Sequence, residues 1–278
     1  MIEKEILEDV YKDIISPHPQ SLVTGFYNLD CILGNVKNDA IITIGGRSSM
    51  GKTSFLLSIM INLLKQDKKC LFFSIELSAK NILKRMISQI SKIGFCNNGV
   101  TYSDISIEKI KSAISEIEKY KIFLEDKMTI TINDVKDYIE KVKPDYVFID
   151  YIQIINFKSK TDKCHKISNF VIELKKIARE NKCMIFLTSQ LSRNPDHRGD
   201  KTPILSDLKD CGDLEEISDI VLMIFNKSYY DTDDNSNYNN EDIDILCLKN
   251  KYGAIGTIKL LFRKELLRFY EQIENDEF

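Results

Sequence analysis

Residues 46–53 read Gly46-Arg47-Ser48-Ser49-Met50-Gly51-Lys52-Thr53, with Ser54 next in line, and fit the pattern G-x-x-x-x-G-K-[ST]. Before them, Ala40 to Gly45 is an apolar run that predicts a buried strand, and after them Lys52 to Lys65 has helical spacing. That placement separates a phosphate loop from a chance match. Two glycines let backbone N–H groups wrap phosphate oxygens, and the helix N-terminus adds the positive end of its dipole. Lys52 brings a point charge, and the Thr53 hydroxyl is suited to hold Mg²⁺.

Outward from this loop the chain alternates apolar strands with helices. Strands are predicted over Cys70–Ile75, Tyr146–Ile149, Met184–Thr188, Ile220–Phe225, Ile243–Leu248 and Thr257–Phe262. Helices are predicted over Ala79–Ile93, Ile107–Tyr120, Ile132–Val142 and Ile167–Asn181. Strand–helix alternation with doubly buried strands indicates an α/β fold, a mostly parallel twisted sheet flanked by helices. The last strands, with short glycine-containing turns, suggest an antiparallel extension.

Three polar residues sit where predicted strands end. Asp150 closes Tyr146-Val147-Phe148-Ile149, and an acid there can accept from Thr53 or from a magnesium-bound water. Glu76 follows Leu71-Phe72-Phe73-Ser74-Ile75; if that strand neighbours the phosphate-loop strand, the carboxylate can orient an attacking water. Gln190 follows Met184–Thr188 and can sense a terminal phosphate. Ligands of open α/β sheets bind in the crevice where such strand ends meet.

Composition bounds the rest. The 278 residues are 43% hydrophobic and 29% charged, with a formal net charge of −3. These are values of a soluble globular chain, and any nucleic-acid contact must come from a local basic surface. Seven scattered cysteines and 3 histidines contain no C-x-x-C pair, which argues against a disulfide framework or a structural zinc and for a reduced, cytoplasmic setting. No stretch approaches the length of a membrane span. Residues 1–20 read as a short amphipathic helix, Glu3 to Ile15, and a linker, and 21–278 as one domain. Asp231 to Asp242 predicts a polar surface loop, and Lys158 to Lys166 a basic patch.

Taken in order, these motifs resemble the RecA-like motor domain of the DnaB-family replicative helicases over roughly Leu22 to Glu271. Thr24-Gly25-Phe26-Tyr27-Asn28-Leu29-Asp30 looks like the family's opening segment, and Ser49 to Thr53 like its phosphate loop. Ser74-Ile75-Glu76-Leu77-Ser78 is similar to the catalytic-glutamate motif, Asp150-Tyr151-Ile152-Gln153 to the metal-binding motif, and Ser189-Gln190-Leu191-Ser192-Arg193 to the sensor. Leu205-Ser206-Asp207-Leu208-Lys209-Asp210-Cys211-Gly212 resembles the single-strand DNA loop, and Lys249-Asn250-Lys251-Tyr252-Gly253 the segment that reaches a neighbour's nucleotide.

The resemblance implies a homo-hexameric ring with ATP and Mg²⁺ between subunits, translocating on single-stranded DNA at a replication fork with a loader or primase as partner. Lys52, Thr53, Asp150, Glu76 and Gln190 would serve the site in cis, Lys249 and Lys251 in trans. Lys209, Asp210 and Gly212 would hold DNA phosphates with little sequence preference. The sequence departs from the family twice. Only the linker precedes the motor, as expected of a fragment or a natural short form, and Lys251 stands where the family has an arginine finger, without the planar fork of a guanidinium. Two other readings stay open on sequence: a RecA-like DNA-binding ATPase without processive unwinding, and an ATPase of the same superfamily acting on protein.

Overall fold

The computed structural model describes residues 7–8, 11, 22–95, 102–152, 163–192, 194–208, 212–230 and 240–272. Most of the expected helix Glu3–Ile15 lies outside them, as do most of the basic run from Lys158, residues 231–239 of the polar loop, Gln153, Arg193, Lys209 and Asp210.

Chain order gives α1 (Tyr27–Leu33), β1 (Ile41–Gly46), α2 (Lys52–Lys65), β2 (Cys70–Ser74), α3 (Ala79–Ser91), α4 (Asp104–Ile117) and β3 (Ile122–Glu125). Then follow α5 (Ile132–Val142), β4 (Tyr146–Asp150), α6 (Lys163–Asn181), β5 (Met184–Gln190), α7 (Asn194–His197), a 3-10 turn (Leu205–Asp207) and α8 (Gly212–Ile217). The chain closes with β6 (Ile220–Phe225), β7 (Asn240–Asn250), β8 (Gly256–Arg263) and β9 (Arg268–Glu271). One nine-stranded sheet runs β3-β2-β4-β5-β1-β6-β7-β8-β9. Its first six strands are parallel and its last three antiparallel.

Both faces of β1, β2, β4, β5 and β6 are buried, so their side chains divide by alternation, while the edge strand β3 is half exposed. Ile42, Ile44, Phe72, Phe148 and Phe186 join one core with Phe55, Leu56 and Met60 of α2 and Ile82 and Met86 of α3. Ile41, Leu71, Phe73, Val147, Ile149 and Ile185 join the other with Val135 and Ile139 of α5 and Val171 and Leu174 of α6. An aromatic column locks the antiparallel strands onto α2: Phe26 to Phe55 at 5.6 Å, Phe55 to Phe269 at 5.2 Å and Phe269 to Phe262 at 4.5 Å between ring centroids. The opening segment is a closed turn, because the Asp30 carboxylate accepts from Thr24 N and Oγ1 at 2.8 and 2.6 Å.

Sheet order corrects one expectation. Strand β2 does not neighbour β1; β4 and β5 lie between them. The chain leaves β1 for the far side of the sheet, fills inward through β4 and β5, and only then crosses to β6. Five elements have no counterpart in the sequence pattern: α1, β3, α7, α8 and β9. Each is at most seven residues long, too short for a period to declare itself. The helix from Ala79 stops at Ser91 rather than Ile93 because Lys92 takes a left-handed φ of 57°.

Candidate functional site

Parallel strands deliver their carboxyl ends to one edge of the sheet. Gly46 of β1 is in register with Gln190 of β5, and Ser74 of β2 with Asp150 of β4. Above that edge lies a cavity of about 560 Å³ lined by Ser48, Ser49, Gly51, Lys52, Thr53, Ser54, Glu76, Asp150 and Gln190. Glu76 reaches it despite the two intervening strands, carried by the turn that follows Ser74.

The loop itself is built by backbone geometry. Gly51 sits at φ 86°, a left-handed conformation, and a Cβ there would meet the Phe269 ring at 3.1 Å. Helix α2 therefore starts abruptly, with its free N–H groups aimed into the cavity. The Lys52 ammonium curls back to donate to the carbonyls of Gly46 and Arg47, both at 2.9 Å. Burial pushes its pKa down to about 8, against the pull of the Asp150 and Glu76 carboxylates. A cation so desolvated gains from an incoming polyanion.

Asp150 is 2% exposed and gripped from two sides. Thr53 Oγ1 donates to its Oδ2 at 2.6 Å and Thr188 Oγ1 to its Oδ1 at 2.5 Å. The hydroxyl and carboxylate thus form a paired oxygen donor set, the chemistry of a hard cation such as Mg²⁺, which takes its remaining ligands from phosphates and water. Among the described residues no group of three His, Cys, Asp or Glu is placed to hold a metal by itself. Gln190 Nε2 donates to Ser48 Oγ at 2.6 Å, tying the third strand end to the phosphate loop.

Other residues named from sequence lie elsewhere. Met50 is buried in the core, 2% exposed. Arg47 does not line the cavity and turns toward Asp196 instead. Lys249 and Lys251 stand at the opposite edge of the sheet: Asn250 pairs with Ile220 and Ile220 with the amino end of β1, which places them about 20 Å away by strand rise. Lys251 Nζ bonds Asp219 at 3.0 Å, and Lys249 Nζ bonds the Glu215 and Glu216 carbonyls at 2.5 and 3.0 Å. The turn between β7 and β8 is pinned on α1, where a Cβ at Gly253 would meet the Ile32 carbonyl at 2.4 Å. Gly212 begins α8, and Lys209 and Asp210 lie outside the described residues.

Arg85 was not singled out in the sequence. It projects from α3 into the cavity, where burial lowers its pKa against the Asp150 and Glu76 carboxylates. Its only sequence signal is its place two turns into the helix that follows Glu76. Phe262, Lys264 and Leu267 close the cavity from β8 and the turn beyond it.

A parallel sheet carrying a phosphate loop, a strand-end aspartate and a strand-end glutamate, extended by antiparallel strands, defines a RecA-like P-loop fold. The DnaB-like helicase C-terminal domain family model matches residues 21–271, and the chain belongs to that family. It is 33% identical to a probable replicative DNA helicase of Trieres chinensis, covering 98% of this chain and 61% of that protein. It is 30% identical to the replicative DNA helicase DnaC of Bacillus subtilis, covering 96% and 61%. A solved ATPase domain superposes with a TM-score of 0.88 at 31% identity, over 97% of this chain and 98% of that one. A DnaB-like replicative helicase studied with primase gives 0.87 at 30%, over 98% and 67%. The chain thus spans about three fifths of the length of the curated relatives it matches. Among the described residues no helix is long and apolar enough to cross a membrane.

Proposed function

We propose that residues 21–278 form the ATP-hydrolysing motor of a cytoplasmic replicative DNA helicase, with 1–20 as its helical linker, translocating on single-stranded DNA as a homo-hexameric ring. The observation that carries this reading is the convergence of the phosphate loop, Asp150, Glu76 and Gln190 on one cavity, inside a chain that belongs to the DnaB-like family. Backbone N–H groups of residues 48–53 bind the phosphates and Lys52 swings from the loop carbonyls to the β and γ oxygens. Thr53 and Asp150 hold Mg²⁺, which neutralises phosphate charge when bound. Glu76 orients the attacking water, and Gln190 and Arg85 contact the terminal phosphate. A replication fork, with a loader or primase, is the corresponding setting.

Lys249 and Lys251 lie too far along the sheet to serve the cavity of their own chain, which supports a role toward the nucleotide of a neighbouring copy. Ring hydrolysis should fall in Lys251→Ala and rise in Lys251→Arg, because a guanidinium bridges two oxygens where an ammonium makes a point contact. Mixing Lys251→Ala with Lys52→Ala protein tests the trans role, since one interface class then pairs an intact phosphate loop with an intact finger. Recovered turnover is the expected result, and none in demonstrated mixed rings contradicts it. Lys209→Ala should weaken single-strand binding equally across sequences and reduce the salt slope by roughly one phosphate contact. Fluorescence anisotropy over a salt series reads this, and a sequence-selective loss would refute it.

Titration of Lys52 gives a further expected outcome. Its ammonium loses its proton near pH 8 in the free chain, and bound phosphates raise that value. Nucleotide binding should therefore take up protons above about pH 8, and affinity should fall as pH rises through this window. Calorimetry in two buffers of different ionisation enthalpy measures the uptake; equal heats in both would contradict it.

A further inference from the structure

Arg47 is the first variable position of the phosphate loop, yet its guanidinium points out of the cavity. Its Nη2 donates to Asp196 Oδ2 at 2.6 Å, and its Nη1 to the carbonyls of Leu191 and Ser192 at 3.5 and 3.4 Å. Asp196 belongs to α7, and Lys201 Nζ holds its carbonyl at 2.7 Å. Two residues further on, Arg198 makes a bidentate pair with Asp207, Nη1 to Oδ1 at 3.1 Å and Nη2 to Oδ2 at 2.6 Å, and also holds the Thr202 carbonyl at 2.9 Å. Asp207 is 1% exposed. Its carboxylate also accepts from Ile204 N at 2.9 Å and its carbonyl from Ser192 N at 2.8 Å. A Leu191–Leu208 bridge closes the arrangement.

Asp196 and Arg198 thus face opposite tasks across two residues. One holds the phosphate loop through Arg47; the other holds the 205–208 turn through Asp207. Side-chain exposures of 13% and 31% for the first pair, and 31% and 1% for the second, shield both from the screening that makes surface ion pairs nearly worthless. The Arg198–Asp207 fork fixes orientation as well as distance, whereas Arg47 and Asp196 share one short charge-assisted bond. The two pairs thus connect the phosphate loop to residues 205–208 through Asp196 and Arg198. Leu208 runs directly into the segment whose motif resembles the single-strand DNA loop.

We propose that Asp196 and Arg198 are positioning residues that couple nucleotide binding at the phosphate loop to single-strand DNA binding. The inference rests on the proposed function and adds to it a second connection besides the Gln190–Ser48 bond. Coupling is reciprocal, so each ligand must change the other's affinity by the same factor.

The test uses the whole chain, a non-hydrolysable ATP analogue with Mg²⁺ and a fluorescent oligo-thymidine, with DNA affinity measured by anisotropy with and without nucleotide. The unaltered chain is expected to gain about tenfold in DNA affinity from nucleotide. In Asp196→Asn, which keeps shape and loses charge, the gain should shrink below about twofold while each ligand alone binds as before. Asp196→Glu should keep the gain, and Arg198→Lys should lose it from the other end. Full coupling in Asp196→Asn and Arg198→Lys overturns the inference, as does loss of either single-ligand affinity, which would mark a purely structural role. An unaltered chain that binds both ligands independently also overturns it while leaving the proposed function standing. A chain that binds no nucleotide or no DNA overturns both.

Discussion

Glu76→Gln is expected to lower ATP turnover by about 10²–10⁴-fold, the range of a positioned general base, while nucleotide affinity stays close to that of the unaltered chain. Glutamine preserves the size and reach of the side chain but cannot accept a proton from water. Glu76 ends the turn after β2 and lines the cavity without belonging to the phosphate loop, so its amide leaves the cradle intact. Binding of a fluorescent nucleotide and steady-state turnover separate the two effects. Equal losses in both would assign Glu76 to folding of the cavity rather than to chemistry.

Lys52→Ala removes charge from the middle of the loop and is expected to cost about 10²–10³-fold in turnover, as for other preorganised donors, with weakened nucleotide binding as well. The ammonium is held in place by two carbonyls at 2.9 Å, so phosphates displace a bond already aimed at them. The Gly46 and Arg47 carbonyls lose a donor in the variant, which adds a stability cost to the loss of charge. Secondary structure should stay near that of the unaltered chain, and unchanged turnover in this variant would end the assignment of the loop.

Much of the fold was legible because its strands are buried on both faces. Runs such as Tyr146-Val147-Phe148-Ile149 have no polar face, and α2 and α5 begin and end where their spacing and the Thr131–Asp134 cap place them. Strand order was not legible. Nothing in Leu71-Phe72-Phe73 records that two later strands insert between β2 and β1, since both neighbours present the same apolar surface. The candidate site was legible where chemistry coincides with a strand end, as at Asp150, Glu76 and Gln190. It was hidden where a residue depends on the rotation of a helix, as Arg85 does, or where side chain and backbone part company, as at Arg47. The loop pattern includes Arg47, but only the fold shows its guanidinium leaving the cavity for Asp196.

The sharpest measurement of the central claim is strand displacement from a forked duplex carrying a fluorophore and quencher, followed with the chain, Mg²⁺ and ATP. The account predicts signal that requires hydrolysable ATP, appears at concentrations where rings assemble, and vanishes in Glu76→Gln. ATP turnover stimulated by single-stranded DNA in assembled rings, with the duplex left intact, would contradict it and make the chain a DNA-binding ATPase that does not unwind.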